Sequence, residues 1–97
     1  MGDFDAVYAQ VRTIPVGTVA SYGAVGRQVG VTARTVGFAL ASCPDDVPWH
    51  RVVGSDGYLR IAKRSPVHFD AQRARLIEEG VCVSESGFVD PLFLAGA

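Results

Sequence analysis

The sequence is poor in the residues that would commit a chain to a metal, a membrane or an oxidising compartment. Its 97 residues include only two cysteines, two histidines and one tryptophan. Cys43 and Cys82 cannot build a metal site alone, and His50 and His68 stand at no ligand spacing from them. A Cys43–Cys82 disulfide is conceivable. The N-terminus MGDFDAVY, however, has neither a basic start nor an apolar h-region, so the expected setting is the cytoplasm with both thiols reduced. No apolar run approaches the ~18 residues of a membrane span. An excess of one charge is also missing: nine basic and ten acidic residues leave a net charge of −1. Whole-chain charge therefore does not announce nucleic acid. Repeats, linkers and cofactor-binding fingerprints are absent too, so one domain over residues 1–97 is expected, monomeric by default and without a cofactor. With 48% apolar residues the chain can bury a core sufficient to fold alone.

What charge there is lies unevenly. From Arg27 to Arg75 there are eight basic and four acidic residues, whereas the remainder holds one base and six acids. A basic middle between acidic ends suits one phosphate-facing side, although a salt-bridged surface would look the same.

Phe4, Val7, Tyr8 and Val11 fall on one helical stripe, with Asp3 as its N-cap and Ile14-Pro15-Val16-Gly17 as the turn that ends it. Ser21 caps a second helix over Tyr22 to Val29, closed by Gly30. Thr32 caps a third over Ala33 to Ser42, stopped at Cys43-Pro44 because a residue before proline avoids helical angles. Two short helices about a tight turn outline a helix-turn-helix. Trp49 to Val53 and Tyr58 to Ile61 read as extended segments around the turn Gly54-Ser55-Asp56-Gly57. Ser65-Pro66 opens a further helix to Glu79, with Gly80 beyond it, and residues 81–90 suit a terminal hairpin. The expected fold is mainly α with small β elements, a winged helix-turn-helix-like single domain.

Three segments carry the functional information: Ile14-Pro15-Val16-Gly17-Thr18-Val19-Ala20-Ser21-Tyr22-Gly23, Arg34-Thr35-Val36-Gly37, and Val47-Pro48-Trp49-His50-Arg51-Val52-Val53. Together they resemble the DNA-binding domain of O6-alkylguanine-DNA alkyltransferases. That family shows an IPxGxVxxY-like segment, an R-A-V-G-like start to the recognition helix and a P-C-H-R-V site, in this order. The resemblance runs over about residues 4–80 and continues into Leu76-Ile77-Glu78-Glu79-Gly80. The family's nucleophilic cysteine corresponds to Trp49, and an indole cannot accept an alkyl group by displacement at neutral pH. This departure is similar to the alkyltransferase-like proteins, which bind alkylated guanine without repairing it. The N-terminal domain of full alkyltransferases has no counterpart here, as expected of that branch. The resemblance implies a non-enzymatic partner of double-stranded DNA containing O6-alkylguanine, which hands the lesion to nucleotide excision repair proteins.

The resemblance also implies roles for single residues. Trp49, read on its own as either a core residue or a stacking surface, becomes the wall of a lesion pocket with Pro48, and base–aromatic stacking there is worth ~1–3 kcal/mol. Arg34 opens the third helix, where a cation opposes the helix dipole and is better placed if it leaves for a partner. The matching arginine fills the space left by a flipped nucleotide, while small Ala33, Thr35 and Gly37 let the helix approach a minor-groove floor. Tyr22 matches the tyrosine that crowds the 3′ phosphate of the target nucleotide, and Ser21 and Gly23 accompany it at a helix start suited to phosphate. His50 and Glu79 match the pair that activates the thiol in true alkyltransferases; without a thiol they, with Arg51, are expected to brace the pocket loop. Lys63 and Arg64 fall where a substrate-binding loop closes over the base, Arg64 being the preferred cation over its face. Two other functions compete. An alkyltransferase with Cys43 as a relocated nucleophile would need a thiolate at a helix C-terminal end, where the dipole disfavours it. A winged-helix transcription regulator would need base-reading side chains along the third helix, which offers only Arg34.

Overall fold

The computed structural model describes residues 3–63 and 65–94. Helices α1 (Asp3–Arg12), α2 (Tyr22–Val29) and α3 (Ala33–Ala41) precede the longest helix, α4 (Pro66–Glu78). Strands β1 (Ala20–Ser21) and β2 (Val52–Val53) pair in parallel, Ala20 opposite Val52 and Ser21 opposite Val53. Single 3-10 turns lie at Trp49–Arg51, Arg60–Lys63 and Pro91–Phe93. This is the expected, mainly helical fold with small β elements.

The strand pair divides two cores. Ala20 and Val52 face Val7, Val11, Val25, Val36, Ala39 and Val47 from α1–α3 and the loop after them. Their neighbours Val19 and Val53 face the other way, toward Leu59, Leu76, Val81, Val83 and Val89. Alternation along a strand is what lets two adjacent valines serve two cores. No helix among the described residues is long and apolar enough to cross a membrane.

Several boundaries follow from local chemistry. The Ser21 hydroxyl oxygen accepts from the Ala24 amide at 3.0 Å, and Gly30 ends α2 in the left-handed region at φ 81°. Gly26 is required by close approach rather than by angle: a Cβ there would lie 2.5 Å from the Val31 carbonyl oxygen, inside the α2–α3 turn. Thr32 caps α3 by accepting from the Thr35 amide, and Ser65 caps α4 by accepting from that of His68. The terminal hairpin is reduced to one antiparallel bridge, Val83 to Val89, with Phe88 bridged to Tyr58.

Three expectations need correction. Asp3 is the first residue of α1 rather than the cap outside it. Trp49–Arg51 is a 3-10 turn, with extended backbone only at Val52–Val53. A distant partner holds the turn and the strand after it: the Gln72 amide of α4 donates to the backbone oxygens of His50 in the turn and Val52 in the strand, both at 3.1 Å. Tyr58–Ile61 is likewise extended only at its start, because Arg60–Lys63 winds into a 3-10 turn packed on α4.

Candidate nucleic-acid interface

The α2–turn–α3 unit, the Trp49 turn and the Arg60 turn enclose a cavity of about 390 Å³. Tyr22 enters it from the start of α2, Ala33, Arg34 and Gly37 from α3, and Trp49 from the opposite wall. The volume is within the range of small-ligand sites, roughly 300–1,000 Å³. Phe38, Leu40, Ala41, Arg60 and Ile61 complete the lining, none of them singled out by sequence. Phe38 sits one helical turn beyond Arg34, so the spacing was available as a signal: the Arg34 guanidinium lies 5.5 Å from the centre of its ring.

Gly37 faces open space, since a Cβ added there would meet nothing within 4 Å. Packing inside the domain therefore does not demand a glycine, although one in a helix interior costs about 0.5–1 kcal/mol relative to alanine. Thr35 is half-buried and its hydroxyl lies 3.1 Å from that of Thr32. Gly23 lies in the first turn of α2, beside Tyr22. Ser21 is buried with its oxygen engaged in the cap, so it supports the helix start from inside.

Trp49 is half-buried and framed by α4. Its ring stands edge-on to His68 at 6.1 Å, and the Arg75 guanidinium lies 5.9 Å from its centre. Pro48, just before the turn, accepts from the Arg51 amide at 3.0 Å. Behind Trp49 is a second cavity of about 440 Å³, which Cys43 also lines. Burial first, then Asp45 and Asp46, pushes the Cys43 thiol up, so it stays protonated at neutral pH.

His50, Arg51 and Glu79, which do not line the cavity, form one cluster. Arg51 donates to both Glu79 carboxylate oxygens, at 3.0 and 2.9 Å, and to the Ile14 carbonyl at 3.0 Å. His50 Nε2 lies 2.8 Å from Glu79 Oε2. The Arg51 hydrogen bonds, helped by His50, hold the Glu79 carboxyl down to about 2. Burial outweighs that carboxylate at His50 and lowers its pKa, so the imidazole is neutral and Nε2–H is the donor. Its Nδ1 is then a buried acceptor with no partner among the described residues. The cluster ties the Trp49 turn to the end of α4 and to the segment after α1.

Lys63 is the last residue of the Arg60 turn, and only its backbone is described. Arg64, the cation preferred from sequence, lies outside the described residues. Arg60 is the loop cation that lines the cavity. Among the described residues no group of three His, Cys, Asp or Glu side chains could hold a metal ion, and both cysteines are free.

Comparison with known proteins bears on this arrangement. Residues 3–81 match the model of the family described as 6-O-methylguanine DNA methyltransferase, DNA binding domain. A DNA base-flipping protein of Vibrio parahaemolyticus is 36% identical over 85 residues, covering 84% of this chain and 82% of that one. Alkyltransferase-like protein 1 of Schizosaccharomyces pombe is 42% identical over 83 residues, covering 80% and 75%. The crystal structure of S. pombe Atl1 in complex with damaged DNA containing O6-carboxymethylguanine superposes with a TM-score of 0.80 at 33% identity, over 97% of this chain and 94% of that one. Against a DNA base-flipping protein of Thermus thermophilus the match is partial, spanning 37% of that protein's length. On the extent of these matches, the chain belongs to the family of the 6-O-methylguanine DNA methyltransferase DNA-binding domain, and is similar to its alkyltransferase-like members.

Proposed function

We propose that this chain is a non-enzymatic sensor of alkylated DNA. It acts as a single domain over residues 1–97, a cytoplasmic, DNA-associated monomer that approaches duplex DNA from the minor groove. It turns an O6-alkylguanine into the cavity walled by Trp49 and leaves the bound lesion as a flag for nucleotide excision repair proteins. The observation that carries this reading is chemical. The pocket wall is an indole, and the nearest thiol, Cys43, is held protonated behind it. Neither can displace an alkyl group at neutral pH.

The remaining geometry fits the same task. Turning a base out costs a few kcal/mol, which stacking on Trp49 at ~1–3 kcal/mol helps to offset. Arg34 is exposed at the first turn of α3 and, among the described residues, rests on the exposed ring of Phe38, so it is released cheaply into the gap left in the duplex. There its planar guanidinium stacks and donates to the orphaned cytosine. Tyr22 crowds the backbone of the flipped nucleotide, beside helix-start amides that suit a phosphate. The names of the relatives support the reading: base flipping is the Vibrio protein's description, and a damaged duplex is what S. pombe Atl1 holds.

Incubation with an O6-methylguanine duplex, followed by mass spectrometry of the intact protein, tests the non-enzymatic claim. The expected mass is unchanged and the base stays methylated; a methyl adduct on the protein would overturn it. Gly37 supplies a second test that separates binding from folding. Gly37→Ala is expected to stabilise the domain by about 0.5–1 kcal/mol and to weaken binding of the methylated duplex several-fold. Unchanged binding in this variant would remove close groove approach from the account.

A further inference from the structure

Seven large apolar side chains are exposed among the described residues, and of these only Phe38 lines the cavity walled by Trp49. Single exposed apolar residues are ordinary on a protein surface. The setting of this one is not. Helical spacing sorts the side chains that α3 turns toward the cavity into two rows. Ala33, Gly37 and Ala41 form a row of small residues, and Arg34 and Phe38 stand out beside it. The core side of the helix is carried by Val36 and Ala39, both fully buried. Phe38 keeps 49% of its surface exposed even while the Arg34 guanidinium lies 5.5 Å from the centre of its ring.

The two projecting side chains are therefore coupled. When Arg34 leaves for the gap in the duplex, it uncovers an apolar ring beside the cavity. One helical turn advances about 5.4 Å against about 3.4 Å for a base step, so a ring one turn from Arg34 falls within about two base pairs of the vacated site. Phenylalanine is among the apolar residues that wedge between base steps from the minor groove.

We propose that Phe38 is a second insertion residue, an apolar wedge that enters the minor groove beside Arg34 once the lesion has been turned out. On the lesion-binding reading above, which this role presupposes, Arg34 replaces the missing base and Phe38 holds the neighbouring step apart. The sign of its contribution separates a wedge from a mere rest for Arg34. A ring that served only the free chain would stabilise the unbound state, and its loss would leave lesion binding unchanged or tighter. A ring that enters the groove is buried on binding, and its loss weakens the complex.

The test uses the full chain, duplexes with guanine or O6-methylguanine at one position, and fluorescence anisotropy at one fixed salt concentration. Phe38→Ala is expected to weaken binding of the methylated duplex about fivefold, since about half of the ring is still available for burial. The unmodified duplex is expected to bind nearly as before, because without a turned-out base Arg34 stays on the ring. Phe38→Leu keeps most of the affinity, being apolar though without a π face. The loss from Phe38→Ala persists in an Arg34→Ala background. Because both duplexes are measured with each variant, a general loss of folded protein does not imitate the result. Unchanged or tighter binding of the methylated duplex by Phe38→Ala overturns the wedge, as does an equal loss on both duplexes. So does a loss that vanishes in the Arg34→Ala background, for the ring would then act only through the guanidinium. Failure of the underlying reading looks different: the native chain would bind the methylated duplex no better than the unmodified one.

Discussion

Glu79→Ala is expected to destabilise the domain by roughly 3 kcal/mol, the low end for breaking a buried ion pair. The reason is what it leaves behind. Arg51 and His50 lose their shared acceptor on side chains that are only 14% and 9% exposed. For a domain of this size the fall in Tm is roughly 12–24 °C. The Trp49 turn loosens with it, since His50 and Arg51 are two of that turn's three residues.

The same cluster sets a pH dependence. Glu79 falls from an ordinary 4.5 to about 2 in the folded state, so its contribution is complete above pH 4.5 and disappears as pH falls through 2. A shift of that size corresponds to roughly 3 kcal/mol. His50 acts in the same direction at higher pH. Its folded pKa lies below the ordinary 6.5, so acidification below that value favours the unfolded chain, which takes up the proton first. Thermal unfolding of native protein and Glu79→Gln at several pH values checks this. The gap in Tm between them should be full near neutrality and close as pH approaches 2. A gap independent of pH would mean that the ionised carboxylate is not what holds the turn.

Arg34→Ala is expected to lower affinity for an O6-methylguanine duplex at least tenfold while lowering Tm by no more than roughly 2–8 °C. Arg34 is exposed, and among the described residues the contact it gives up is that with Phe38, worth ~0.5–1 kcal/mol at an exposed site. In the proposed complex it fills the vacated stack and pairs with the orphaned base, so its removal leaves both uncompensated. Arg34→Lys keeps the charge but not the plane and should recover only a minor part of the loss. Full recovery by lysine would reduce Arg34 to a phosphate contact. Equilibrium binding at fixed salt, alongside a thermal melt, separates these outcomes.

The parts of this domain that were legible in the sequence are those decided within a few residues. Ser21, Gly30, Thr32 and Ser65-Pro66 announce helix ends because a cap or a left-handed glycine acts on the nearest backbone groups. The Trp49 turn was misread as extended because its shape depends on Gln72, twenty or more residues away. Gln72 reads as one more polar position on a helix, yet it is 1% exposed. The pocket divides in the same way. Arg34, Tyr22 and Trp49 stand out by motif, whereas Leu40, Ile61, His68 and Arg75 join the site only through the packing of α3, α4 and the Arg60 turn. No periodicity in the chain encodes which face of one turn meets another.

Lesion-selective binding is most directly measured by titrating the protein against two duplexes identical except for one O6-methylguanine, at low and at physiological salt. Raising salt weakens the phosphate contacts common to both duplexes and leaves the difference due to the base. A preference for the methylated duplex that persists, as a ratio, at the higher salt is the expected result. Equal affinity for the two duplexes at both salts would contradict the account.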